Sequence, residues 1–277
     1  MTGALLALAA SFSWGSSNYI AGVESRTRSA WHVATLSQLA AALASAVALL
    51  LVRQPLPGAQ DVLMLLLAGV ATAAGLVMFY RALAIGPMSV VSPIIAGEVL
   101  IPVAAGIAMG ERPGLHAYAG MAVTLAGMVL VTRTGPGAHQ RVSGTAIVLA
   151  LLTAVCWGFM LLVYGTTARA HPVWGVFDTR VTSAAVLAAY VLLTGRGLSL
   201  KGENLPALAA VGVLLTAANF LFAVAARFGD LSVVAILGSL SPVVVTAYAQ
   251  VLLRERLTVR QWTGFAAVLA GIVLLSV

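Results

Sequence analysis

Glu98 is the residue best placed to do chemistry in this chain. It sits inside the apolar stretch SPIIAGEVLIP, bracketed by Pro93 and Pro102 and preceded by Gly97. A carboxylate at such a depth is costly unless it is paired, hydrated or protonated, so it usually faces a cavity or a bundle interior. Each proline lacks an N–H and pushes away the carbonyl four residues back, which predicts loosened carbonyls at Ser89 and Glu98. A bent helix with free carbonyls around a carboxylate suits a cation or a proton. The competing reading is a structural carboxylate locked to a neighbouring donor.

Arg180 is the second candidate, in the stretch VWGVFDTRVTSAAV. Asp178 lies two positions before it, so the two cannot share a helix face. Asp178 is about one turn from the end of its segment, where water reaches it. Arg180 is deeper. It either snorkels back along its stem or reaches inward, to bind a substrate carboxylate or phosphate or to pair with Glu98. The amides Asn18, Gln38 and Asn219 are expected to point inward, because lipid-facing amides are costly. For each, an interhelical hydrogen bond and a ligand contact are equally good readings, worth roughly 0.6–2 kcal/mol. Trp14, Trp157 and Tyr80 complete the candidate set, the two indoles being too deep for an interfacial belt. Pro242 joins Pro93, Pro102 and Gly97 as a candidate helix break or gate.

These residues are scarce in what surrounds them. Of 277 residues 61% are hydrophobic and 8% charged, with a mean hydropathy of +1.04. A soluble domain would carry roughly a quarter charged residues, so lipid is the expected solvent and the bilayer the expected partner. The net charge of +7 comes from basic residues scattered between apolar runs. No basic stripe with interleaved aromatics exists, so nucleic acid is not an expected partner. His32, His116, His139 and His171 fall near segment ends without metal-ligand spacing, and Cys156 stands alone. No phosphate loop, catalytic triad or paired carboxylates occur. Neither a metal, a cofactor nor an enzymatic activity is expected.

A helix crossing the hydrocarbon core needs about 20 apolar residues. Ten such spans are predicted, near 3–23, 31–52, 62–82, 88–109, 114–132, 144–164, 173–194, 205–226, 231–253 and 260–277. The chain also repeats itself. At an offset of 143, Trp14-Gly15 meets Trp157-Gly158, and Ser89-Val90-Val91 meets Ser232-Val233-Val234. Later the offset is 144, where Glu111-Arg112 meets Glu255-Arg256. The one-residue gap leaves Glu98 aligned with either Ser241 or Pro242. The predicted organisation is an all-α polytopic membrane protein of two five-helix repeats, 1–137 and 138–277. An odd number of spans inverts the second repeat, a pattern of secondary transporters with a site near the midplane.

With these features the chain resembles the EamA branch of the drug/metabolite transporter superfamily. The resemblance rests on the paired Trp-Gly motifs, on YRALAIGPMSVVSPI from Tyr80, on AARFGDLSVVAILGSLSPVVV from Ala225, and on the GER and RER endings of spans four and nine. It implies a cavity lined by spans 1–4 and 6–9, with spans 5 and 10 peripheral. It also implies that the usual carboxylate of span four is Glu111, so it lends Glu98 no role.

The expected function is secondary active transport, by alternating access, of small amphipathic metabolites such as amino acids. Export and proton coupling are the favoured modes, in a bacterial inner membrane, as a monomer or homodimer. The alternatives are an uncoupled facilitator and a non-transporting receptor or scaffold on a transporter fold. Loops after odd-numbered spans hold ten basic residues and the opposite loops four. The positive-inside rule then places both chain ends outside, whereas the resemblance implies ends inside.

Overall fold

The structure is a computed structural model that describes residues 1–25, 28–85, 94–132, 143–195, 202–252 and 258–276. Among these residues helices α1 (Thr2–Glu24), α2 (Ala30–Val52) and α3 (Ala59–Ile85) come first. The fourth span is a 3-10 turn (Ala96–Val99) running into α4 (Leu100–Ala108), followed by α5 (Leu115–Thr132). In the second half α6 (Gly144–Val163) ends in a π-helical turn (Tyr164–Ala168), then come α7 (Pro172–Leu193) and α8 (Leu205–Ala225). The ninth span is two pieces, α9 (Leu231–Gly238) and α10 (Ser241–Leu252), and α11 (Val259–Ser276) is the tenth.

Five of these helices are long and apolar enough by length and composition to cross a membrane, lying in α2, α3, α6, α7 and α8. The others fall short for local reasons. Helix α1 carries Ser13, Ser16, Ser17 and Asn18 in its second half, while spans four and nine are interrupted, leaving shorter apolar pieces. Pro102 lies in the first turn of α4, and Pro242 is the second residue of α10, where a missing N–H costs little. Pro242 therefore starts a helix, whereas Pro102 sits within one: Ile95, Val99 and Leu100 are all right-handed helical, and the 3-10 turn directly before Pro102 is the local disturbance expected of it. Gly97 falls in the 3-10 turn, and Pro93 lies outside the described residues.

The packing exchanges elements between the halves. Helix α1 packs on α8 and α3 on α6, the same contact made twice; α2 packs on α7, and α5 on α11 at the edge. Small residues permit the last contact: a Cβ at Gly127 would lie 2.8 Å from the Gly264 carbonyl oxygen and from Val268. Close approach through small residues is how apolar helices associate where the hydrophobic effect is absent. Gly106 and Gly110, four residues apart, do not form such a packing face. Gly106 seats the Glu111 side chain, and Gly110 is a turn residue at φ +98° with nothing near it.

Candidate functional site

Two faces of the bundle serve as reference: the near face, where α1 begins, and the far face, where α1 ends. A cavity of about 160 Å3 extends from mid-depth toward the far face. Spans one to four and six to nine all contribute to its wall, and among the described residues neither α5 nor α11 does. Trp14, Asn18, Gln38, Glu98, Trp157, Arg180 and Asn219 all line it. Tyr80 lies on α3 with its side chain outside the described residues.

The aromatic walls come from the repeat. Trp14 packs on Phe222 with ring centroids 5.6 Å apart, and Trp157 packs on Phe79 at 5.4 Å. Phe79 and Phe222 are themselves 143 apart, so one contact is built twice with its partners exchanged. Each tilted pair is worth roughly 0.5–1.5 kcal/mol beyond area burial. The same offset governs the glycines beside the indoles. A Cβ at Gly15 would lie 3.0 Å from the Ser241 carbonyl oxygen, and one at Gly158 would lie 2.5 Å from that of Glu98. Glu98 therefore corresponds to Ser241 and not to Pro242, and Ser241 also lines the cavity. The site thus keeps its aromatic symmetry and breaks its charge symmetry, with one carboxylate where the other half has a hydroxyl.

The polar residues are held at different tightness. Trp14 Nε1 donates to Asn219 Oδ1 at 2.9 Å, and Asn219 Nδ2 donates to the Tyr164 hydroxyl at 2.8 Å. Asn219 and Tyr164 are buried, so this chain fixes one indole. The Trp157 indole has a longer bond, 3.4 Å to the Thr72 carbonyl. Arg180 is 2% exposed, and its Nη1 donates to Gln38 Oε1 at 3.1 Å and its Nη2 to the Leu215 carbonyl at 3.4 Å. Its Nε has no hydrogen-bond partner among the described residues, and neither has the buried Oε2 of Glu98. No ion pair joins the two residues; those among the described residues lie elsewhere. Each charge thus stands on the cavity wall with hydrogen-bonding capacity left over. A buried guanidinium whose fork is partly engaged and a carboxylate with one buried, unpartnered oxygen are complementary in charge to the two ends of a zwitterion.

Other expectations are corrected. Asp178 is buried, with Oδ2 unpartnered among the described residues, and does not line the cavity; its helix is covered where water was expected. Arg227, outside the cavity, donates through Nη2 to the Ala170 carbonyl at 3.1 Å. His32 lies 3.4 Å from Glu203, within a far-face cluster that includes Glu24, Arg28 and Asn204. That cluster ties the α1–α2 connection to the start of α8. Sequence reading overlooked Phe79 and Phe222, although the offset that pairs the tryptophans also pairs them. Ser17, Ser37 and Thr72 carried no comparable signal, because small hydroxyls are common within apolar helices.

The comparisons bear on the family and the fold. Residues 1–133 and 144–277 each match the EamA-like transporter family, and the two matches are consistent with two repeats. An uncharacterized protein of Methanocaldococcus jannaschii is 27% identical over 134 residues, 48% of this chain and 97% of that protein. That relative is thus similar to one half of the chain. A solved crystal structure shares the fold, with a TM-score of 0.82 at 19% identity over 98% of this chain and 95% of the other.

Proposed function

The chain belongs to the EamA-like transporter family and is a multi-pass membrane transporter, not an enzyme; from that premise we propose that it exports small zwitterionic metabolites of the amino-acid class in exchange for protons. The observation that carries this reading is the pair of unmatched charges, Glu98 and Arg180, on the wall of one cavity between two indoles. The cavity is small. An apolar cavity of about 150 Å3 accommodates a benzene-sized body, so a space of about 160 Å3 suits an amino-acid-sized molecule better than a nucleotide.

In this reading Arg180 receives the substrate carboxylate, Glu98 the ammonium group, and the indoles flank the apolar part. A bare carboxylate is costly at this depth. Glu98 therefore carries either the ammonium or a proton whenever the cavity changes the face it opens to. Competition for one carboxylate couples the two movements without any further device. Alternating access then proceeds by movement of the two halves around the cavity.

The test is flux into proteoliposomes loaded with acidic buffer and diluted into alkaline buffer, across a panel of labelled amino acids. Outward proton movement is expected to drive accumulation of at least one of them. Uptake that only equilibrates, whatever the pH gradient, would identify a facilitator, and no uptake across the panel would overturn the substrate class.

A further inference from the structure

The first turn of α9 takes its cap from the other half of the chain. Asp230 occupies the N-cap position and makes no side-chain cap hydrogen bond. Instead Glu111, at the end of the fourth span, accepts from Leu231 N at 2.5 Å and Ser232 N at 3.0 Å, one donor on each carboxylate oxygen. The first N–H groups of any helix lack internal partners, and a carboxylate there also meets the positive end of the helix dipole. In a helix of eight residues, that contact is a large part of what orders the first turn.

The position of this cap matters because of what α9 joins. Gly238, its last residue, lines the central cavity, with its face toward Phe222 and Trp14. Leu231, its first residue, lies about 10 Å away along the helix axis and lies directly against Gly165 of the π-helical turn. Leu231, Gly165 and Glu111 all line a second cavity at the near face. Along α6, Leu161 belongs to the central cavity and Gly165 to the second, a separation of one turn, about 6 Å. Buried Tyr164 fills that turn. The barrier between the two cavities is therefore the π-helical turn on one side and the capped end of α9 on the other. Helix α9 is separated from α10 at Ser239 and Leu240.

We infer that Glu111 is a positioning residue for transport: by capping α9 it holds Leu231 against Gly165 and keeps the near-face end of the central cavity shut. Opening to the near face requires release of this cap. The inference rests on the central cavity being the transport site, but its test does not depend on the substrate. A ligand can shift an equilibrium only by its differential contact with the two states, and the same holds for an internal carboxylate whose bonds exist in one of them.

The experiment measures access to the cavity. Met160, on the cavity wall in α6 between Trp157 and the barrier, becomes the sole cysteine in a Cys156→Ser, Met160→Cys chain. An impermeant maleimide is applied to the near face of sealed, singly oriented vesicles. Labelling is expected to be slow with Glu111 present and to accelerate by at least about tenfold with Glu111→Ala, as two charge-assisted bonds are lost. Glu111→Asp, which retains the charge, is expected to lie between. A purely stabilising role would lower the melting temperature without changing near-face labelling, and that result would overturn the inference. Should Glu111→Ala fail to fold, Glu111→Gln in the same Cys156→Ser, Met160→Cys chain decides the matter, because its amide offers one accepting oxygen where the carboxylate offers two. Near-face labelling of that variant is expected to accelerate in the same way; labelling unchanged from the Glu111 protein would again overturn the inference.

Discussion

Replacing Glu98 by Gln is expected to abolish proton-driven accumulation while leaving the protein folded. Glutamine keeps the size and the hydrogen-bonding oxygen of the protonated acid and cannot ionise. The cavity of the variant can then reorient empty without a proton, so nothing ties substrate movement to the pH gradient. For one-for-one exchange at zero membrane potential, a gradient of one pH unit supports about tenfold accumulation, since both represent about 1.4 kcal/mol. The wild-type ratio is expected to approach that value, and the ratio for Glu98→Gln to stay at one. Vesicle uptake at clamped potential checks this. Stability is not expected to fall, because Glu98 Oε2 has no hydrogen-bond partner to lose among the described residues.

Arg180→Met is expected to raise the substrate concentration for half-maximal transport by about 100-fold. Hydrogen bonds to charged groups are worth about 1.5–3 kcal/mol each, and a carboxylate on the guanidinium fork makes up to two. The substitution also frees Gln38 Oε1 and the Leu215 carbonyl, both now served by Arg180. That loss falls on the protein itself and is separable from binding. Arg180→Lys retains the charge without the fork, so it is expected to recover part of the stability and little of the affinity. The half-saturation values and melting temperatures of the three proteins, measured side by side, separate these effects. Equal affinity in all three would remove Arg180 from substrate binding.

Much of this molecule was legible in the sequence, for a physical reason. Lipid forbids unpaired polar backbone, so spans show as apolar runs, and the few polar residues within them have few places to go. Asn18, Gln38 and Asn219 could be expected to face inward on that ground, while Arg180 could equally have snorkelled; all four line one cavity. The repeat was equally plain, because Trp-Gly and Glu-Arg seldom recur in register by chance. The interruptions of spans four and nine were not readable as such. Prolines announced a disturbance, but whether Pro102 and Pro242 bend a helix or start one depends on what packs beside them. The π-helical turn at Tyr164 has no sequence signature at all. Glu111 was visible as a residue at the end of a span, while its role depends on a helix start 120 residues further on. Contacts made only when two halves meet are the part that hydropathy and spacing do not carry.

The central claim is that the cavity between Glu98 and Arg180 holds the transported molecule. Asn18 lines that cavity and is exposed, so Asn18→Cys in the Cys156→Ser chain reports directly on its occupancy. The rate of maleimide labelling at this cysteine, measured against substrate concentration in a variant that still transports, tests the claim most directly. Labelling is predicted to slow with added substrate and to reach half-protection at the concentration that half-saturates transport. A labelling rate unchanged at saturating substrate would contradict the account.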